Sequence, residues 1–103
     1  MIDTIEIVIN NGIFVKYNII ISYNNNYCFC NNHKYIINSK QKNDIVRTIK
    51  TWKNEYGSSN IIDDEEFRVI VTTNDSKKEV FHGKGIFPNN YRVFKRIIGD
   101  IYE

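Results

Sequence analysis

His82 is one of two histidines in the chain, and Gly83-Lys84-Gly85-Ile86-Phe87-Pro88-Asn89-Asn90-Tyr91 follows it, so two of five glycines and the only proline stand beside a candidate general base. An imidazole at that place could move a proton, with Lys84, Tyr91 or one of the carboxylates of Asp63, Asp64, Glu65 and Glu66 completing an acid–base set. The spacing supplies no nucleophile with its base and orienting group, so a small hydrolase or nuclease using His82 stands as an alternative only. Gly83-Lys84-Gly85 also has the ingredients of a phosphate cradle ahead of a helix, although it follows neither the P-loop nor the dinucleotide spacing. The plainer reading is a joint: glycines for a tight turn, Pro88 opening a helix, and Asn89 or Asn90 as its cap.

Cys28, Cys30, His33 and His82 are all the cysteines and histidines, two of each as in a tetrahedral zinc site. Cys-x-Cys on an extended strand does not curl the backbone round an ion as a Cys-x2-Cys knuckle does, so no metal and no cofactor is expected. Along such a strand the two cysteines stand about 7 Å apart on one face, which disfavours a disulfide between them. Free thiols fit a reducing, cytoplasmic compartment.

Basic residues fall on two predicted helices: Lys40, Arg47 and Lys50 on the first, Arg92, Lys95 and Arg96 on the second. Side by side these faces would form a stripe for single-stranded nucleic acid, centred on Arg47, Lys50, Arg92 and Arg96, with Tyr23, Tyr27 and Phe29 available for stacking. Solvated helix backs are ordinarily charged as well, and a net charge of +2 is too small to demand a nucleic acid or a membrane. Asp63 to Glu66 reads as a solvated acidic loop able to steer a basic protein partner.

The elements that must position these residues follow from periodicity. Ile5, Ile7 and Ile9 alternate with Thr4, Glu6 and Val8, Asn10-Asn11-Gly12 predicts a hairpin, and Ile13, Val15, Tyr17, Ile19, Ile21 and Tyr23 predict one face of a longer strand. Asn24-Asn25-Asn26 and Asn32-His33 are turns around a short strand at 27–31, and 34–37 completes a β-meander. Asn38 or Ser39 caps a helix in which Ile45, Ile49, Trp52 and Tyr56 recur at helical spacing until Gly57 stops it. A polar loop with an apolar Ile61-Ile62 pin leads to a hairpin, with Phe67, Val69 and Val71 on its first strand, Asn74-Asp75-Ser76 at its turn and 77–82 as its second strand. The closing helix buries Tyr91, Phe94, Ile98, Ile101 and Tyr102.

The 103 residues, 42% apolar and 25% charged, suit one folded domain and are too few for two. Alanine and leucine are absent while isoleucine, asparagine, lysine and tyrosine abound, a bias of A/T-rich codons that also favours strands. No stretch has the uninterrupted apolar length of a membrane span or signal-peptide core. The expected fold is α+β over residues 1–103: an antiparallel sheet, built as meander, helix, hairpin, helix, with both helices on one face. Phe14, Ile20, Cys28 and Cys30 suggest that the other face is partly apolar, a surface for a partner or a homodimer through sheet face or edge.

The function that fits best is a small non-enzymatic protein-binding module, such as an immunity-type or phage-encoded inhibitor that blocks a partner protein. Its partner-binding residues would be Asp63, Asp64, Glu65, Glu66, His82, Gly83, Lys84 and Gly85. Nucleic-acid binding through the basic helix faces is the other alternative.

Overall fold

Ile5, Ile7 and Ile9 are fully buried while Glu6 and Val8 between them point the other way, which makes β1 (Ile2–Asn11) the central strand of the core. The computed structural model describes residues 2–11, 14–58 and 64–101. Gly12 of the first predicted turn, Ile13 of the strand predicted after it, the Ile61-Ile62 pin, Asp63 and Tyr102 lie outside the described residues. The meander continues through β2 (Phe14–Ser22), β3 (Tyr27–Cys30) and β4 (His33–Ile36). After it come α1 (Ser39–Ile49), β5 (Glu55–Ser58), β6 (Glu65–Thr73), β7 (Lys78–Lys84) and α2 (Tyr91–Ile101). One mixed sheet holds all seven strands in the order β4-β3-β2-β1-β6-β7-β5, and every pairing is antiparallel except β5 with β7. The class is α+β.

Both helices cover the face that carries Ile5, Ile7, Ile9, Ile19, Ile21, Phe67, Val69 and Phe81. They add Ile45, Ile49, Phe94, Ile98 and Ile101 to the same core. Cys28 and Cys30 belong to this inner face, opposite Ile21 and Ile19, and so do not contribute to the outer one as the alternation had suggested. Lys42 ties α1 to the β2–β3 turn: its buried ammonium donates to the Tyr23 and Asn25 carbonyls at 3.0 and 3.3 Å. That turn therefore sits where the helix begins.

Four expectations are corrected. The register shifts between Ile9 and Asn10, so Lys16 is an extra residue on β2 and the single predicted face from 13 to 23 is interrupted there. The turn before β4 is Asn31-Asn32, both at positive φ (50° and 71°), and His33 already lies in the strand. The first helix, started by a reciprocal Asn38–Gln41 capping box, ends at Ile49 instead of Gly57. The Thr51 hydroxyl and the Asn90 amide both donate to the Thr48 carbonyl, which closes the helix, and Glu55–Ser58 becomes the parallel edge strand. Finally, Gly83 and Lys84 are part of β7, Glu65 and Glu66 open β6, and α2 begins at Tyr91, three residues past Pro88.

Candidate functional site

The covered and uncovered faces of the sheet have different chemistry, and cross-strand register maps the uncovered one directly. One row across it reads Lys34, Phe29, Ile20, Glu6, Ile70, Val80; each residue stands opposite the next on adjacent strands. A second row reads Ile36, Tyr27, Ser22, Thr4, Thr72, Lys78. Towards β4 the face is apolar: Ile36 is 84%, Ile20 44% and Phe29 41% exposed, and the Lys34 ammonium lies 4.4 Å from the Tyr27 ring centroid. Towards β7 it is charged. Arg68 stands opposite His82 there, and Glu66 opposite Lys84.

This charged wing gathers part of the predicted partner-binding set. Asn10, Glu66, Phe67, Arg68, His82 and Val8 line a cleft of about 230 Å³. The Asn10 Oδ1 atom is buried in the structure and accepts no hydrogen bond. None of Glu66, Arg68, His82 and Lys84 takes part in the ion pairs or side-chain hydrogen bonds found among the described residues. Sequence reasoning missed Asn10 because nothing in the sequence shows that β1 and β6 are neighbours, and missed Arg68 although the predicted hairpin already sets it opposite His82. The cleft offers an amide, a carboxylate, a guanidinium and an imidazole, a set able to recognise polar groups.

Of the remaining predicted residues, Glu65, Gly83 and Gly85 have structural employment. Glu65 points to the helix side, accepting from the Tyr91 hydroxyl at 2.7 Å and from the Lys95 ammonium at 3.1 Å, with Lys16 3.9 Å away. The acidic run is thus no uniform solvated loop. Gly83 is buried in β7, and Gly85 at φ 72° donates its N–H to the Glu65 carbonyl at 3.0 Å. Six residues separate Lys84 from α2, so the glycines do not present amides or a lysine at that helix's start, as a phosphate cradle would require. Asn90 turns away from α2 as well, accepting from the Trp52 indole N–H at 2.6 Å.

Of the predicted basic stripe, Arg47 pairs with Asp44 at 3.4 Å, while Lys50, Arg92 and Arg96 are exposed on the helix layer. Tyr27 and Phe29 stand on the opposite side of the sheet, so one bound strand cannot use both sets at once. Cys28 and Cys30 are buried and not disulfide-bonded, their sulfurs 3.9 Å apart, and His82 lies four strands away on the other face. Among the described residues no group of three His, Cys, Asp or Glu side chains could hold a metal ion. None of the described helices is long and apolar enough to cross a membrane.

Two groups on the covered face give an alkaline signature. Burial, followed by the neighbouring Cys30, pushes the Cys28 thiol from its ordinary 9.0 up to about 12. Burial first, then the Glu65 carboxylate, raises the Tyr91 hydroxyl well above its ordinary 10.0. Both keep their protons longer in the folded chain than in the unfolded one, so the stability they hold is complete below about pH 9 and drains away as pH rises through the folded-state values. Urea midpoints should therefore fall between about pH 9 and pH 11, and Tyr91→Phe should flatten the part of that slope above pH 10; parallel slopes for the two proteins would show that Tyr91 has no share in it.

Comparisons with protein-family models, with curated proteins and with solved structures return no match to this chain.

Proposed function

We propose that this chain is a non-enzymatic protein-binding module whose docking surface is the charged wing of the open sheet face: Asn10, Glu66, Arg68, His82 and Lys84. The observation that carries the reading is that these polar groups cluster on one sheet face and take part in no side-chain hydrogen bond or ion pair found among the described residues. Charges of both signs, Glu66 beside Lys84 and Arg68 beside His82, favour a partner with its own alternating charges over a polyanion. An immunity-type or phage-encoded inhibitor is a narrower form of the same reading, acting by occupying the partner's surface.

The test is affinity capture from the native host with the wild-type chain and with a Glu66→Lys, Arg68→Glu, Lys84→Glu variant of unchanged circular dichroism. A protein held in near-stoichiometric amount by the wild type, insensitive to nuclease and lost from the variant, is the expected result. Equal retention by both would remove the charged wing from the interface, and retention abolished by nuclease would transfer the function to nucleic acid.

A further inference from the structure

The other wing of the same face carries a pattern that matches itself. In the row Lys34, Phe29, Ile20, Glu6, an apolar pair on β3 and β2 is flanked by a cation on β4 and an anion on β1, all four side chains exposed. A two-fold axis parallel to the strands and midway between β2 and β3 reverses this order without shifting it along the strands. Lys34 then faces the second copy's Glu6, Phe29 faces its Ile20, and each contact occurs twice. In the neighbouring row the same operation sets Ile36 over Thr4 and Tyr27 over Ser22, with no like charges meeting.

We propose that two copies of this chain stack face to face over β1–β4, burying Phe29, Ile20 and Tyr27 between two Lys34–Glu6 ion pairs. Several observations favour a second copy over another occupant. Glu6 forms no ion pair among the described residues although it stands in the middle of an apolar row. Of the six large exposed apolar side chains among the described residues, Ile20, Phe29 and Ile36 stand together on the adjacent strands of this wing, while Val80, Ile86 and Val93 are scattered elsewhere. A different protein would have to reproduce the order cation, apolar, apolar, anion at strand spacing, whereas a second copy brings it by symmetry. Aligned sheets pack about 10 Å apart, a gap that a lysine and a glutamate bridge together. Four strands by about four residues overlap over about 20 by 13 Å, a footprint below that of most specific interfaces, so the dimer is weak and forms only at high protein concentration. This inference is independent of the protein-binding reading: the charged wings over β6 and β7 lie beyond the overlap and remain open in the dimer.

Sedimentation of the full chain from about 1 to 500 µM should show the 12.2 kDa monomer giving way to a species of twice that mass. Glu6→Lys and Lys34→Glu should each weaken self-association at least about tenfold, since each sets like charges against one another twice. The decisive arm mixes the two variants in equal amounts. Each is repelled by its own copy, but across a mixed pair every charge meets its opposite, so the mixture should associate at least as well as wild type while neither component does alone. Both positions are exposed, and thermal midpoints within a few degrees of wild type confirm intact folds. A wild-type chain that stays monomeric at 500 µM overturns the proposal. So does a dimer indifferent to Glu6→Lys, the behaviour of edge pairing through β4, which leaves Glu6 three strands from the contact. A mixture no more associated than its components would also overturn it.

Discussion

Gly83→Ala is expected to destabilise the fold by about 3 kcal/mol and to lower the thermal midpoint by about 10 °C or more. The added methyl would stand 2.6 Å from the Ile86 carbonyl oxygen, 2.8 Å from the Phe67 ring and 2.9 Å from Tyr56 Cβ. Two of these three neighbours are backbone or backbone-proximal atoms that cannot turn aside, so relief requires β5, β7 or the 85–87 segment to move. Gly99→Ala supplies the opposite sign. Nothing lies within 4 Å of the new methyl on α2, and a helical glycine gives way to a better helix former, with a gain of up to about 1 kcal/mol. Chemical denaturation of the two variants against wild type reads both effects; a Gly83→Ala midpoint within error of wild type would mean that the strand has room the distances deny.

The second large effect is expected at Trp52. Its ring meets Phe94 at 4.8 Å, Phe67 at 5.5 Å and Phe81 at 6.2 Å between centroids, and it is the hub where both helices and the β6–β7 hairpin come together. Trp52→Ala should cost about 4 kcal/mol through the cavity it leaves. Asn90→Ala should cost about 2 kcal/mol, because it strands the indole N–H without its acceptor at 2.6 Å and removes the donor at 3.2 Å from the Thr48 carbonyl that ends α1. The double variant should cost less than the sum of the two, since the Trp52–Asn90 bond can be lost only once. Strict additivity would show that the two residues act separately.

How far the sequence reveals this molecule depends on whether a residue's role is local. The β1 alternation, the Asn38 cap and the buried stripe of α2 come from neighbours a few positions apart, and each is found where the periodicity puts it. The end of α1 was illegible because Trp52 and Tyr56 continue the helical spacing of Ile45 and Ile49; the Thr48 carbonyl at its end is taken up by Thr51 and by Asn90, the latter 42 residues further along the chain. Gly83 looked like a loop residue by composition, yet it is a glycine because three atoms from other segments leave no space for a side chain. The acidic run looked uniform, yet strand alternation sends Glu65 to the helix side and Glu66 to the open one. Arg68 faces His82 across the β6–β7 hairpin, whereas Asn10 joins them only through the β1–β6 pairing, a contact between residues nearly sixty positions apart.

The crossing from β4 to β5 has a further consequence, for how the sheet comes apart. These two strands are its opposite edges, yet they are consecutive in the chain, so residues 37–54 must traverse the full width of about 29 Å set by seven strands. Eleven helical residues cover about 16 Å of that span, and the short extended pieces on either side supply the remainder. The segment acts as a strap buckled at both rims, by Lys42 near the β2–β3 turn and by Asn54 on the Val80 carbonyl at 3.0 Å. Neither edge strand can therefore peel away without loading α1. When α1 does let go, both edges are released in one event, which joins the most distant parts of the sheet into a single cooperative unit.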